Sequence, residues 1–157
     1  MSDATSCQRV RGQALVEFAL VLPIIVLLIF GLVDVGRAVF TYNTLSQSAR
    51  QAARIAIVNQ DTTSVKDQAI ASGATLGLTD SNIDVCFKAN QSAERDCGSA
   101  TDDCTTILVG CLAIVQTHVD YTPLTPVIGN LLGTLAMSST SILPVESVCP
   151  GTIRTVC

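Results

Sequence analysis

The strongest constraint on this chain is an apolar run near its N-terminus, residues 13–33, which reads QALVEFALVLPIIVLLIFGLV. Glu17 is the single charged residue in the run, and Asp34 is the first residue after the run. A helix of this length, rising about 1.5 Å per residue, spans roughly 30 Å, which is the hydrocarbon thickness of a bilayer. The sequence therefore predicts a transmembrane helix over residues 13–34.

A cleaved secretory signal peptide is the alternative interpretation of an N-terminal apolar run. This run is long for the apolar part of a signal peptide, and it contains Glu17, a charge that is costly in lipid and points to a function. The residues that follow, Asp34 to Arg37, do not resemble an A-x-A cleavage site. We therefore interpret the run as a permanent anchor.

Charges and cysteines on the two sides of the run predict its orientation. Arg9 and Arg11 precede it, and basic flanks usually stay in the cytoplasm. Six of the seven cysteines follow it, a pattern typical of disulfides in an oxidising compartment. We therefore expect a single-pass protein of the cytoplasmic membrane, with residues 1–12 as a cytoplasmic leader and the C-terminal part outside the cytoplasm.

Composition excludes several classes of function. The chain has 9 Lys and Arg against 13 Asp and Glu and no basic run, so nucleic acid is not an expected partner. There is no C-x-x-C pair, and the only histidine, His118, lies away from any two neighbouring cysteines. No nucleophile, base or phosphate loop surrounds His118. We therefore expect neither an enzyme nor a site for a metal or other cofactor.

Helical periodicity continues beyond the membrane run. Apolar or small residues recur every three or four positions, which predicts one stripe of an amphipathic helix. The stripe consists of Val35, Ala38, Val39, Tyr42, Leu45, Ala49, Ala52, Ala53 and Ala56. The sequence predicts one long helix from about Gln13 to about Val58, kinked or loosened at Pro23. Its part over residues 35–58 would be the extracytoplasmic spine of a domain.

Residues 59–157 are predicted to form that small domain. Ser64 opens a capping-box pattern for a short helix that Gly73 ends. Alternating or β-branched stretches predict strands at 83–88, 112–121 and 135–143. The predicted fold class is therefore α+β, a long N-terminal helix packed on a small, largely antiparallel sheet with disulfides.

Six cysteines lie in this domain, and we expect all six to be oxidised. Short sequence separations close at the least entropic cost, which favours Cys97–Cys104 and Cys149–Cys157. Antiparallel pairing of the first two strands would then join Cys86 to Cys111, within the reach of about 7 Å between Cα atoms that a disulfide needs.

Residues 12–18, GQALVEF, resemble a prepilin-peptidase processing site of the Flp class. The resemblance implies cleavage after Gly12, so that Gln13 becomes the mature N-terminus. It also implies that the Glu17 carboxylate meets the terminal amine of a neighbouring subunit, since a carboxylate in hydrocarbon needs a cationic partner. The aromatic residue that follows, Phe18, points to the pseudopilin branch.

Further motifs extend the resemblance to about residue 58. The stretches GLVDVGRAVF at 31–40, YN at 42–43 and ARQAAR at 49–54 are similar to the signature of TadE-like pseudopilins of tight-adherence pilus systems. The resemblance implies a pilus structural or assembly protein. Its partners would be other pilin subunits, a prepilin peptidase, a membrane assembly platform and the lipid bilayer. A monomeric, membrane-anchored binding module or adhesin is the alternative, and the sequence leaves open whether a pilin would be a major or minor subunit.

Overall fold

The structure is a computed structural model that describes residues 7–89, 96–98, 103–104, 106–125, 129–130 and 133–148, with side chains from residue 12 onward. Five main elements follow one another along the chain. They are helix α1 (Cys7–Ala56), helix α2 (Thr62–Ser72) and strands β1 (Ile83–Lys88), β2 (Leu112–Tyr121) and β3 (Leu135–Pro144). This confirms the predicted α+β class.

Helix α1 is a single element of 50 residues. It begins at Cys7, so helical structure includes the end of the predicted leader, and it ends at Ala56, two residues before the predicted end. Pro23 lies inside the helix, which continues on both sides of it. The predicted division at residues 12, 34 and 58 remains a proposal about membrane topology.

Helix α2 has a different N-terminus from the one the sequence predicts. Asp61, not Ser64, is the N-cap, and its carboxylate accepts hydrogen bonds from the backbone N–H groups of Thr63 and Ser64. The Ser64 hydroxyl also donates to this carboxylate at 2.7 Å. Asp61 therefore satisfies two of the amide groups that a helix start leaves without partners. Gly73 ends the helix as predicted.

The three strands form an antiparallel sheet in the order β1-β2-β3. Strands β1 and β2 have the predicted bounds, and β3 extends one residue further, to Pro144. The central strand pairs Val85 with Val115 on one side and Ala113 with Leu143 on the other. Alternate side chains of β1 and β2 point toward α1, where they form the core with α2.

The core lies against the second half of α1. Leu45, Ala49, Ala52, Ala53 and Ala56 are fully buried, as the predicted stripe requires. The small alanine side chains let α2 approach closely, with Val65 and Ala69 of α2 buried in the same core.

The first part of the predicted stripe is wrong. Val35, Val39 and Tyr42 are more than half exposed, whereas polar Asp34 and Ser48 are buried. The stripe that packs on the domain runs through residues 34, 38, 41, 45 and 48, at the same helical spacing. Its polar members are satisfied locally, since the Ser48 hydroxyl donates to the Ala69 carbonyl at 2.7 Å. Hydrophobicity alone therefore misplaced this part of the buried face.

Two disulfides are present in the described part of the chain, Cys86–Cys97 and Cys104–Cys111. The predicted pairs Cys86–Cys111 and Cys97–Cys104 are therefore wrong. Cys86 lies opposite Ile114, three residues from Cys111, which corresponds to about 10 Å along a strand and exceeds the reach of a disulfide. The expected pair Cys149–Cys157 lies outside the described residues.

The Cys86–Cys97 disulfide holds a covering segment on the outer face of the sheet, whereas the Cys104–Cys111 disulfide packs with the core. The Cys97 backbone N–H donates to Gln116 Oε1 at 3.2 Å, and the Cys104 N–H donates to the Phe87 carbonyl at 2.9 Å. Ile114 of the outer face is fully buried as a result. Lys88 is also fully buried, and its Nζ lies 3.1 Å from an Asp103 carboxylate oxygen. The domain thus has three layers at the end far from residue 34: helices, sheet and a disulfide-bonded loop.

Candidate functional site

The predicted processing and assembly residues lie on the first part of α1, and all of them are exposed. Gly12, Gln13, Glu17 and Phe18 contribute nothing to the core of the domain. Gln13 and Glu17 are four residues apart, so they lie on one face of the helix, one turn apart. A Cβ atom added at Gly12 would meet no atom within 4 Å. The structure therefore leaves this segment free for contacts outside the chain.

The rest of the apolar run is equally exposed, and we call residues 12–33 the bare segment of α1. Among the described residues α1 is the one helix long and apolar enough to cross a membrane, and its most apolar 18-residue stretch has no residue buried inside the protein. From Leu15 to Val33, every large apolar side chain is at least two-fifths exposed. A helix that exposes apolar side chains all round is stable in lipid or in a helix bundle rather than in water.

Asp34 marks the point at which the domain begins to cover the helix. Its side chain is only 5% exposed. One carboxylate oxygen accepts a hydrogen bond from the Leu124 backbone N–H at 3.0 Å, and the other accepts one from the Thr125 N–H at 3.1 Å. The Tyr121 hydroxyl donates to the Asp34 carbonyl at 3.0 Å. We call this set of three hydrogen bonds the Asp34 clamp.

The Asp34 clamp is not apparent from the residues near Asp34 in the sequence. The spacing of Asp34 and Arg37 favours an ion pair along the helix, but the carboxylate instead bonds to the loop after β2. A buried carboxylate needs hydrogen-bond donors, and two adjacent backbone N–H groups supply them. The signal available in the sequence was an acidic residue directly after an apolar run, but nothing local to it identifies a partner 90 residues away.

The outer face of the sheet near the clamp is polar and open. His118 Nδ1 lies 3.8 Å from Asp84 Oδ2, and both side chains are about half exposed. A shallow cavity of about 300 Å³ adjoins them, lined also by Asp96, Gln116 and Thr140. In the part of the chain that the structure describes, no three His, Cys, Asp or Glu side chains are placed to hold a metal ion. His118 is half exposed at this surface.

The family model of TadE-like proteins matches residues 12–54. This segment of the chain is TadE-like. The match begins at Gly12, contains Glu17 and Asp34, and ends within α1, so it covers the bare part of the helix and most of the part that carries the domain. No curated protein and no solved structure matches the chain.

The family match confirms the resemblance seen in the motifs. It supports a pilin-like protein that is associated with a Tad pilus and anchored in a membrane by its N-terminal apolar helix. The match covers residues 12–54 of the 157-residue chain, so the role and the partners of the whole protein belong to the proposal below. The sheet domain beyond residue 54 lies outside the matched segment.

Proposed function

We propose that this chain is a minor pilin or pseudopilin, which a prepilin peptidase cleaves after Gly12 and which then joins or primes a Tad-type pilus. The observation that supports this most is the position of the family match. It begins at Gly12 and includes the whole bare segment of α1, where Gln13, Glu17 and Phe18 are exposed. A helix that exposes apolar side chains over more than 20 residues needs an apolar environment. Lipid would provide it before assembly, and other pilin helices would provide it in the pilus.

Cleavage after Gly12 requires the chain to leave the helical conformation, because α1 is continuous from Cys7 through this residue. A peptidase binds its substrate in an extended form, so the local helix must first unwind. Glycine lowers the cost of unwinding, since it is less favourable in a helix than alanine by about 1 kcal/mol.

This reasoning predicts that Gly12→Ala is cleaved less than the natural chain. Alanine fits without contact at position 12, so the substitution raises helix stability at the cleavage site and leaves the fold unchanged. Gly36→Ala is the matched control, because a Cβ at Gly36 also meets no atom within 4 Å and the residue lies in the same helix. Both variants would be produced in membranes with the peptidase, and the N-termini would be determined by mass spectrometry.

We expect the natural chain and Gly36→Ala to begin at Gln13 and a large share of Gly12→Ala to begin at Met1. An intact Met1 terminus on the natural chain would reject processing altogether. Equal cleavage of the two variants would reject the role of Gly12 while leaving processing in place.

Glu17 is proposed to act in assembly rather than in membrane insertion. A carboxylate near a helix end costs only a few kcal/mol to insert. After cleavage, the new amine of one subunit would be a cationic partner for Glu17 of the next. Glu17→Ala should therefore remain bound to the membrane but be recovered less with other pilus subunits in pull-down and piliation assays.

Leu20→Ala is the control for Glu17→Ala, since it shortens an exposed side chain of the same bare segment without changing charge. Unchanged recovery of Glu17→Ala would contradict the pairing role. A loss equal to that of Leu20→Ala would assign the effect to apolar contacts instead.

In this proposal the N-terminus faces the cytoplasm and the disulfide-bonded domain lies outside, in the cell envelope or on a surface pilus. The partners are neighbouring pilin subunits, the peptidase, an assembly platform in the membrane and the bilayer itself. A monomeric anchored adhesin is the competing hypothesis, and it predicts an uncleaved chain without crosslinks to pilus subunits. Crosslinking from position 18 in membranes distinguishes the two, because Phe18 is exposed and close to Glu17.

A further inference from the structure

The end of the domain nearest the apolar run is the loop that follows β2. Strand β2 runs antiparallel to α1, since the Thr117 hydroxyl donates to the Leu45 carbonyl at 3.3 Å and the Tyr121 hydroxyl donates to the Asp34 carbonyl at 3.0 Å. Each step along β2 therefore moves toward the bare part of the helix. The chain turns back only after Tyr121.

The Asp34 clamp fixes the depth of this loop. The backbone nitrogens of Leu124 and Thr125 lie 3.0 and 3.1 Å from the two carboxylate oxygens. Asp34 directly follows Val33, the last residue of the apolar run. The Leu124 backbone therefore lies level with the end of the predicted transmembrane segment.

The side chain of Leu124 is unusual for that position. It is 66% exposed, although its backbone N–H is held by a buried carboxylate. A single exposed leucine is common on a protein surface, but here its depth gives it a specific environment. The sequence also carries no charged residue from 121 to 145, so no charged residue within three positions of Leu124 opposes its approach to lipid.

We propose that Leu124 makes a second contact with the membrane. Its side chain enters the boundary between head groups and acyl chains of the leaflet that α1 leaves, while the Asp34 clamp holds its backbone at that level. The occupant of this surface is the lipid bilayer. Burial of an exposed apolar side chain in the interface is favourable, and two attachment points fix the tilt of the domain above the membrane. The inference rests on the anchoring of α1 proposed above.

The chain contains no tryptophan, which allows a direct test with the full protein in vesicles of phosphatidylcholine and phosphatidylglycerol. Three single-tryptophan variants would be compared. Leu124→Trp reports the proposed contact, and Leu32→Trp reports the anchor, since Leu32 is 75% exposed within the apolar run.

Val109→Trp is the matched control for Leu124→Trp. Val109 is 68% exposed, and it lies at the far end of the domain, where the Gly110 N–H bonds to Val145 and the Glu146 N–H bonds to Ile57. Ile57 is 23 residues beyond Asp34 along the chain, or about 35 Å at the rise of a helix.

We expect brominated lipids to quench Leu32→Trp and Leu124→Trp and to shift the emission of Leu124→Trp to shorter wavelength than that of Val109→Trp. The Leu124→Trp quenching should be strongest with bromine near the head group, and Asp34→Ala should reduce it by releasing the loop.

If Leu32→Trp is quenched but Leu124→Trp behaves like Val109→Trp, the inference is overturned and anchoring stands. If Leu32→Trp is not quenched, anchoring is rejected and the inference with it. A Leu124→Trp shift that grows with the protein-to-lipid ratio would assign the contact to a second protein copy and also overturn the inference.

Discussion

The two halves of α1 have the same secondary structure and opposite surroundings. Up to Val33 the helix exposes leucine, isoleucine, valine and phenylalanine all round, and none of them packs inside the protein. From Asp34 onward one face is covered by α2 and the sheet, and the buried residues are mostly alanine with one leucine. The half with the larger apolar side chains is thus the half without a core.

This difference shows that the more hydrophobic half of a helix need not be the half that is buried in the protein. A helix packs closely on other elements through small residues, whereas large apolar side chains suit contact with lipid. Asp34 is the boundary between the two halves, because its carboxylate is the first side chain of α1 that bonds to the domain. Removal of a leucine should therefore destabilise the domain when the leucine lies beyond Asp34 and leave domain stability unchanged when it lies before Asp34.

The largest effect is expected from Leu45→Ala. Leu45 is fully buried between α1 and the sheet, and truncation of such a residue costs about 2–5 kcal/mol through lost apolar burial and the cavity that remains. Leu20→Ala is the matched substitution in the bare half, where Leu20 is 69% exposed. Denaturant unfolding of the domain in detergent should give a lower midpoint for Leu45→Ala and an unchanged one for Leu20→Ala. Equal midpoints for the two variants would mean that the second half of α1 does not form the core.

A somewhat smaller effect is expected from the two disulfides, which lie in the domain that covers the second half of α1. The bridges span 11 and 7 residues, and loops of this size correspond to about 2–3 kcal/mol each in the chain-entropy account. Replacement of Cys86 and Cys97 together by serine should lower the free energy of unfolding by that amount without changing membrane association. Non-reducing peptide mapping provides the control. A Cys86–Cys111 peptide in the natural chain would contradict the pairing described here.

The strands and the helices could be predicted because their signals are local. Alternation of apolar and polar residues placed β1 and β2 with correct bounds, and period-three-to-four spacing identified α1. The disulfide pairing could not be predicted in the same way. It depends on how the segment between Cys86 and Cys111 folds back over the sheet, and Cys97 is positioned there by a hydrogen bond to Gln116, which is distant in sequence.

The functional residues likewise divide into those with a local sequence signal and those that depend on contacts between distant residues. The motif at Gly12 to Phe18 is contiguous, so resemblance to a family identifies it, and the family match begins at the same glycine. The Asp34 clamp joins residues 90 positions apart, and it uses backbone N–H groups, which carry no sequence signature. The exposed Val35, Val39 and Tyr42 were predicted to be buried because hydrophobic periodicity could not show that the buried face there includes the polar residues Asp34 and Ser48.

The smallest expected effect is a pH dependence of domain stability that arises at Asp61, the N-cap of α2. The hydrogen bond from the Ser64 side chain, together with those from the Ser64 and Thr63 backbone, lowers the pKa of this carboxyl below its ordinary value. Because the folded-state pKa is lower than the unfolded-state pKa, the ionised carboxylate stabilises the fold fully above about pH 4. This stabilisation is lost as the pH falls through the folded-state pKa.

Asp61→Asn keeps a side-chain oxygen at the N-cap but removes the titration, so its domain stability should fall less steeply between about pH 5 and pH 3. Asp67→Asn removes an exposed carboxylate from the same helix and is the control for the loss of one negative charge. Thermal unfolding across this range measures both slopes, and parallel curves for Asp61→Asn and the natural chain would show that the cap contributes no pH dependence.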